Sequence, residues 1–124
     1  MKSEPVILIV DDQPKNIELI EAYLAPQGYG IVKAGSGSEA LEKISVNKID
    51  IVLLDIMMPD VDGYEICRYI KKTAKLKHAK VVFMSAKSKE ADIQKGYDLG
   101  AALYITKPFS TRELVKQIKE LLEG

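Results

Sequence analysis

Three stretches of this chain, Val6–Val10, Ile51–Leu54 and Lys80–Met84, are too apolar to lie on a surface. Each is a short, unbroken run of mostly β-branched or aliphatic residues, the pattern of parallel strands covered on both faces. Tyr29–Lys33 and Ala102–Thr106 complete a series of five runs about two dozen residues apart. Tyr29–Lys33 is the more broken of the two and is predicted at or near a sheet edge.

Segments of helical period fill the gaps. Pro14 suits a first helical position, Ile17, Ile20 and Leu24 recur on one face, and Gly28 stops the helix. Ser36 with Glu39 gives a capping-box start to a second helix carrying Ala40, Leu41 and Ile44. The third follows Gly63 with Tyr64, Ile66, Cys67 and Ile70. The fourth, near Lys89–Leu99, has only Ala91, Ile93, Tyr97 and Leu99 as apolar residues before Gly100 ends it. The fifth has Ser110 and Glu113 at its start and a stripe of Leu114, Val115, Ile118, Leu121 and Leu122.

Strands alternating with helices predict an α/β fold: a doubly wound parallel sheet with right-handed crossovers and helices on both faces. Ligands of such sheets bind at the strands' carboxyl ends. The chemistry of this chain collects there: Asp11-Asp12 after the first strand, Asp55 after the third, Ser85 after the fourth and Lys107 after the fifth. A carboxylate ending a run as apolar as Ile51–Leu54 is expensive unless it is used. Three acids brought to one sheet edge make a divalent-metal site the first hypothesis and a reactive acid the second.

The bulk numbers narrow the classes. With 124 residues the chain is read as one domain, 1–124, without repeats or linkers. Eighteen basic and eighteen acidic side chains cancel, which argues against a dedicated nucleic-acid or membrane-surface protein. One cysteine excludes an internal disulfide, and Cys67 with His78 is too little for a zinc site. With no membrane-length apolar stretch and no signal-peptide pattern, the expectation is a soluble cytoplasmic domain.

Together the acidic pair Asp11-Asp12, Asp55 followed by Met57-Met58-Pro59 and Asp62-Gly63, Ser85-Ala86 and Lys107-Pro108 resemble the receiver domain of two-component response regulators. Any one of these elements is weak; four in this order, each at its own strand end, are specific. The resemblance covers essentially the whole chain. It implies a flavodoxin-like (βα)5 fold with strand order 2-1-3-4-5. It implies Asp55 as phospho-acceptor, taking a phosphoryl group from the phosphohistidine of a sensor histidine kinase or histidine phosphotransfer protein. Asp12 would bind Mg²⁺ (or Mn²⁺) directly, Asp11 mainly through water, and the Met57 backbone carbonyl would be a further ligand. Ser85 would hydrogen-bond the phosphoryl group, Lys107 would pair with it, and Lys107–Pro108 would be cis. Tyr104 would be an aromatic switch reporting to the surface of helix four, strand five and helix five.

Such a protein is not a conventional enzyme; it would catalyse its own phosphorylation and dephosphorylation. Its output would be a downstream effector protein or output domain, with a phosphorylation-dependent homodimer left open and no direct nucleic-acid or membrane contact. A kinase would dock near helix one and the loop after strand five. The chain ends after helix five, as either a stand-alone regulator or a receiver cut from a longer protein.

Plainer roles compete. Asp12 could help cap the first helix. Tyr104 alternates with Leu103 and Ile105 and could be a half-buried packing residue. Cys67 reads as core, His78 as exposed, and Arg68, Lys71, Lys72, Lys75 and Lys77 as a solvated face. Met57 and Lys87, two residues beyond Asp55 and Ser85, offer no acid or amide to orient a hydrolytic water, so a long-lived phospho-form is expected. A haloacid-dehalogenase-like phosphatase would need a second acid where Met57 stands. A flavin or nucleotide binder would need a phosphate loop where Asp11-Asp12 would repel one. A degenerate receiver would lack one of the acids, the hydroxyl or the lysine.

Overall fold

In a computed structural model that describes residues 4–76 and 78–123, five strands form one sheet in the order β2-β1-β3-β4-β5. The strands are β1 (Val6–Val10), β2 (Gly30–Ala34), β3 (Ile51–Asp55), β4 (Lys80–Ser85) and β5 (Leu103–Thr106), and every pairing is parallel. The helices between and after them are α1 (Pro14–Leu24), α2 (Gly37–Val46), α3 (Gly63–Lys72), α4 (Glu90–Asp98) and α5 (Thr111–Glu123). Lys77, counted above in the basic run, lies outside the described residues.

The pleat divides the strand residues between two cores. Leu8, Val10, Val52, Leu54, Val81 and Phe83 pack with Ala40, Ile44, Ile66 and Ile70 of α2 and α3. Ile7, Ile9, Ile51, Leu53, Val82 and Met84 pack with Ile17, Ile20, Leu114 and Ile118 of α1 and α5. Central strands β1, β3 and β4 therefore need apolar residues at successive positions, which is why their sequences show no alternation.

Strand ends differ from expectation by a residue: β3 and β4 run on to Asp55 and Ser85, and β5 begins at Leu103 rather than Ala102. β2 runs Gly30–Ala34 rather than Tyr29–Lys33, because Gly30 pairs with Val6 and its amide donates to the Pro5 carbonyl. It lies at the sheet edge as predicted. In the second helix Ser36 Oγ accepts from the Glu39 amide, but the Glu39 carboxylate takes the Gly35 amide, so the box closes one residue early. Among the described residues, no helix is long and apolar enough to cross a membrane.

The thinly apolar α4 is seated in an unusual way. Gly96 is its one buried residue, while Tyr97 is 42% exposed. A Cβ on Gly96 would come within 2.9 Å of the Tyr104 ring and 3.0 Å of the Phe83 ring, so the helix lies directly on two aromatic edges. Polar contacts complete the seat. The Tyr64 hydroxyl donates to the Asp92 carbonyl, and the Tyr97 hydroxyl accepts from the Tyr104 amide. Alanine should gain about 1 kcal/mol over glycine from helix propensity alone. Overpacking against rigid rings costs about 1–3 kcal/mol, and Phe83 is fully buried with no room to yield. Gly96→Ala is therefore predicted to lower stability in chemical denaturation; a stabilised variant would mean that Tyr104 gives way instead.

Candidate functional site

The apolar strands bring Asp11, Asp12, Asp55, Ser85 and Lys107 to one end of the sheet, while Tyr104 lies within β5, paired with Phe83. Asp55 is the last residue of β3 and is 7% exposed. Asp11 and Asp12 follow β1, Ser85 closes β4, and Lys107 follows β5. One carboxylate oxygen from each of Asp11, Asp12 and Asp55 lies within 4.8 Å of the others. Asp12, Gln13, Asn16, Asp55, Met57, Ala86 and Lys107 line an open pocket of about 320 Å³ over this cluster. The Lys107–Pro108 bond is cis, as expected.

The three acids are held differently. Asp11 is 3% exposed and accepts from three protein donors: the Gln13 backbone amide at 2.9 Å, the Asn16 side-chain amide at 3.2 Å and Lys107 Nζ at 2.9 Å. Asp55 receives the Met57 amide at 3.1 Å and has Lys107 Nζ at 3.7 Å. Asp12 is exposed, and no described residue donates a hydrogen bond to its carboxylate. It does not cap α1: the N-cap is Gln13, without a side-chain bond, and the acid that meets the turn is Asp11.

Burial raises the Asp55 carboxyl above its ordinary value of 3.8; Lys107 and the Met57 amide work against this shift, and Asp11 and Asp12 add to it. Unit charges this close are worth roughly 3 kcal/mol per pair at an effective dielectric near 20. One ammonium among three carboxylates leaves an excess of negative charge. Such a donor set, all hard oxygen with one acid unclaimed, fits Mg²⁺ or Mn²⁺ rather than zinc.

Ser85 is fully buried, and its Oγ accepts from the Lys87 amide at 3.1 Å. The Lys87 carbonyl in turn accepts from the Tyr104 hydroxyl at 2.7 Å. Tyr104 is 9% exposed and belongs to one of the two cores, and burial raises its hydroxyl pKa. The Lys87 side chain does not line the Asp55 pocket. It lies 6.0 Å from the Tyr64 ring, beside Lys95 at 4.3 Å, in a neighbouring cleft. Cys67 is buried in α3 and His78 is exposed, as read from sequence.

Asn16, which holds Asp11 from one turn along α1, was not anticipated. A short amide five residues beyond Asp11 carries no signal until a helix turns it back. Nor was Asp62 recognised as the cap of α3, where it accepts from the Glu65 amide at 3.0 Å. The pattern Asp62-Gly63-Tyr64-Glu65 contains the cue, an acid three residues before a glutamate.

The site and sheet define a doubly wound α/β protein with an acidic, oxygen-rich pocket at its carboxyl edge. The chain belongs to the response regulator receiver domain family, whose model matches residues 7–119. It is 40% identical over 120 residues to the transcriptional regulatory protein ResD of Bacillus subtilis, covering 97% of this chain and 49% of ResD. The chain thus spans about half the length of that curated relative. A CheY-like receiver domain protein from Methanospirillum hungatei superimposes with a TM-score of 0.91 at 30% identity, covering 98% of this chain and 95% of the other. The BeF3-activated DrrB receiver domain gives 0.89 at 30% identity, covering 98% and 100%.

The raised Asp55 carboxyl has a definite pH signature. A group whose folded pKa is raised binds its proton more tightly in the native state, so the ionised form costs stability as pH rises. In chelator, Asp55→Asn should be more stable than the parent at neutral pH by on the order of 1–3 kcal/mol. The exposed Asp12→Asn should gain less. The Asp55→Asn advantage should shrink as pH falls toward 3.8, where the parent carboxyl is protonated as well. Urea melts across that range measure it, and a less stable Asp55→Asn at neutral pH would contradict the charge account.

Proposed function

We propose that this chain is the phospho-accepting module of a two-component system, with Asp55 as the acceptor. The supporting observation is a buried carboxylate with Lys107 Nζ at 3.7 Å and an unclaimed acid, Asp12, within 4.8 Å. An Asp55 oxygen would attack the phosphorus of a partner's phosphohistidine; the P–N bond breaks and the imidazole leaves. Asp55 thereby becomes an acyl phosphate. Asp12 and Asp55, with the Met57 carbonyl and with Asp11 through water, would hold Mg²⁺, which when bound neutralises phosphoryl oxygens. Lys107 would exchange part of its pairing with Asp11 for a phosphoryl oxygen, and Ser85 Oγ would donate to another.

The connection from Ser85 through the Lys87 backbone to the Tyr104 hydroxyl supports a switching role. Movement of Ser85 toward a phosphoryl group gives up its bond from the Lys87 amide and so bears on the Tyr104 rotamer and on α4. The output is a population shift at α4, β5 and α5, and a full change from off to on takes about 5.5 kcal/mol of differential stabilisation. The readers of that surface would be an effector protein or an attached output domain. Its donors would be a histidine kinase or phosphotransfer protein docking near α1 and the loop after β5.

Incubation with Mg²⁺ and acetyl phosphate should label the parent with acid-labile, base-labile phosphate and leave Asp55→Asn unlabelled. Equal labelling of Asp55→Asn, or turnover of unrelated phosphomonoesters, would overturn the assignment. The lifetime of the label is a separate test. Met57 is 56% exposed and carries no group able to orient water, and Lys87 is turned toward Tyr64. The phospho-form of the purified, Mg²⁺-loaded protein should persist for minutes or longer; a half-life of seconds would contradict this reading.

A further inference from the structure

Between β3 and α3 the chain passes through Ile56–Asp62, and this loop carries Met57 into the acidic pocket. Its ends are tied down locally. The Ile56 carbonyl accepts from the Gly63 amide at 3.1 Å, and Asp62 caps α3. Its middle is tied to a different part of the fold. Asp60 Oδ1 accepts from the Gly37 amide at 3.0 Å, and Oδ2 accepts from the Ser38 amide at 2.9 Å and the Ser38 hydroxyl at 2.7 Å. With Ser36 taking the Glu39 amide, the first three amides of α2 are all satisfied, two of them by a residue more than twenty positions away.

The contact is close as well as polar. A Cβ on Gly37 would lie 2.5 Å from the Val61 carbonyl oxygen and 2.6 Å from Val61 Cβ, so the loop backbone rests directly on the helix end. The Asp60 carboxyl is held well below the usual carboxylate range, first by the Ser38 amide, although the side chain is open to solvent. Between this anchor and Asp55 stand only Ile56, Met57, Met58 and Pro59. Met58 is buried in the core, and the ring of Pro59 fixes its φ. The Met57 peptide is suspended between two fixed points and has little freedom of its own.

We propose that Asp60 is a positioning residue for the metal site: by fastening the β3–α3 loop to the N-terminus of α2, it sets the direction of the Met57 carbonyl. The inference rests on the proposed Mg²⁺ site. It gives α2, which contributes no side chain to the pocket, a part in holding the cation. Removal of Asp60 leaves Asp11, Asp12 and Asp55 unchanged but lets the loop carrying the fourth oxygen lift from α2.

The test is the Mg²⁺ affinity of the full chain, followed by NMR at the Asp12 and Met57 amides, for the parent, Asp60→Ala, Asp60→Asn and Gly37→Ala. Asp60→Ala should weaken Mg²⁺ binding about tenfold, as loss of outer supporting groups commonly does. Asp60→Asn keeps one acceptor oxygen and should weaken it less. Gly37→Ala pushes on the same loop from the helix side and should weaken binding although Asp60 is intact, which keeps the test usable if Asp60→Ala fails to fold. Combining Asp60→Ala with Gly37→Ala should add little. A purely structural role would lower the melting temperature of the metal-free protein and leave the affinity of the folded protein unmoved. Parent-like Mg²⁺ affinity in both Asp60→Ala and Gly37→Ala would overturn the proposal. A parent that shows no saturable Mg²⁺ binding would overturn the metal-site reading itself, and this inference with it.

Discussion

The arrangement depends on a conflict between burial and charge at Asp55. The residue ends a strand whose other members are fully enclosed, and two more acids stand within reach of it. Hydrophobic packing in both cores holds the strand in place, so the carboxylate cannot retreat to solvent. Lys107 offsets part of the cost, but it is shared with Asp11 and sits closer to Asp11 than to Asp55. What remains is a pocket with an excess of negative charge, the imbalance on which the proposed cation and phosphoryl chemistry rests.

The same strand ends carry the consequence outward. Ser85 and Tyr104 do not touch the acids, yet both are bonded to the backbone of Lys87, one at its amide and one at its carbonyl. Tyr104 is in turn bonded through its amide to Tyr97 on α4 and packed against Gly96. α4 therefore rests on Tyr104, whose hydroxyl meets the Lys87 carbonyl. Gly96 is the one residue that α4 buries, and it meets the Tyr104 and Phe83 rings.

Much of this was legible in the amino-acid sequence because strands announce their ends. Continuous apolar runs place Asp11, Asp12, Asp55, Ser85 and Lys107 on one sheet edge before any coordinate is known, and the order of those residues carries the family resemblance. The cis bond before Pro108 came only from that resemblance. What was not legible depends on neighbours distant in sequence. Asp60 reads as an ordinary turn acid until α2 is brought beside it. Asn16 reads as a helix-surface amide until the turn of α1 brings it to Asp11. The start of β2 was misjudged by one residue because Tyr29 is apolar, whereas the ladder begins where Gly30 faces Val6. A capping role for Asp12 competes with the metal role in sequence because capping acids are common there; in the structure Asp11 accepts from the Gln13 amide and Asp12 lines the pocket.

The most direct test of the central claim is the titration of the Asp55 side-chain carboxyl by ¹³C NMR, in chelator and then with saturating Mg²⁺. The Asp55 carboxyl should titrate above the ordinary 3.8 in chelator and fall when the cation is added. An Asp55 that titrates at the ordinary value in chelator and ignores Mg²⁺ would contradict it.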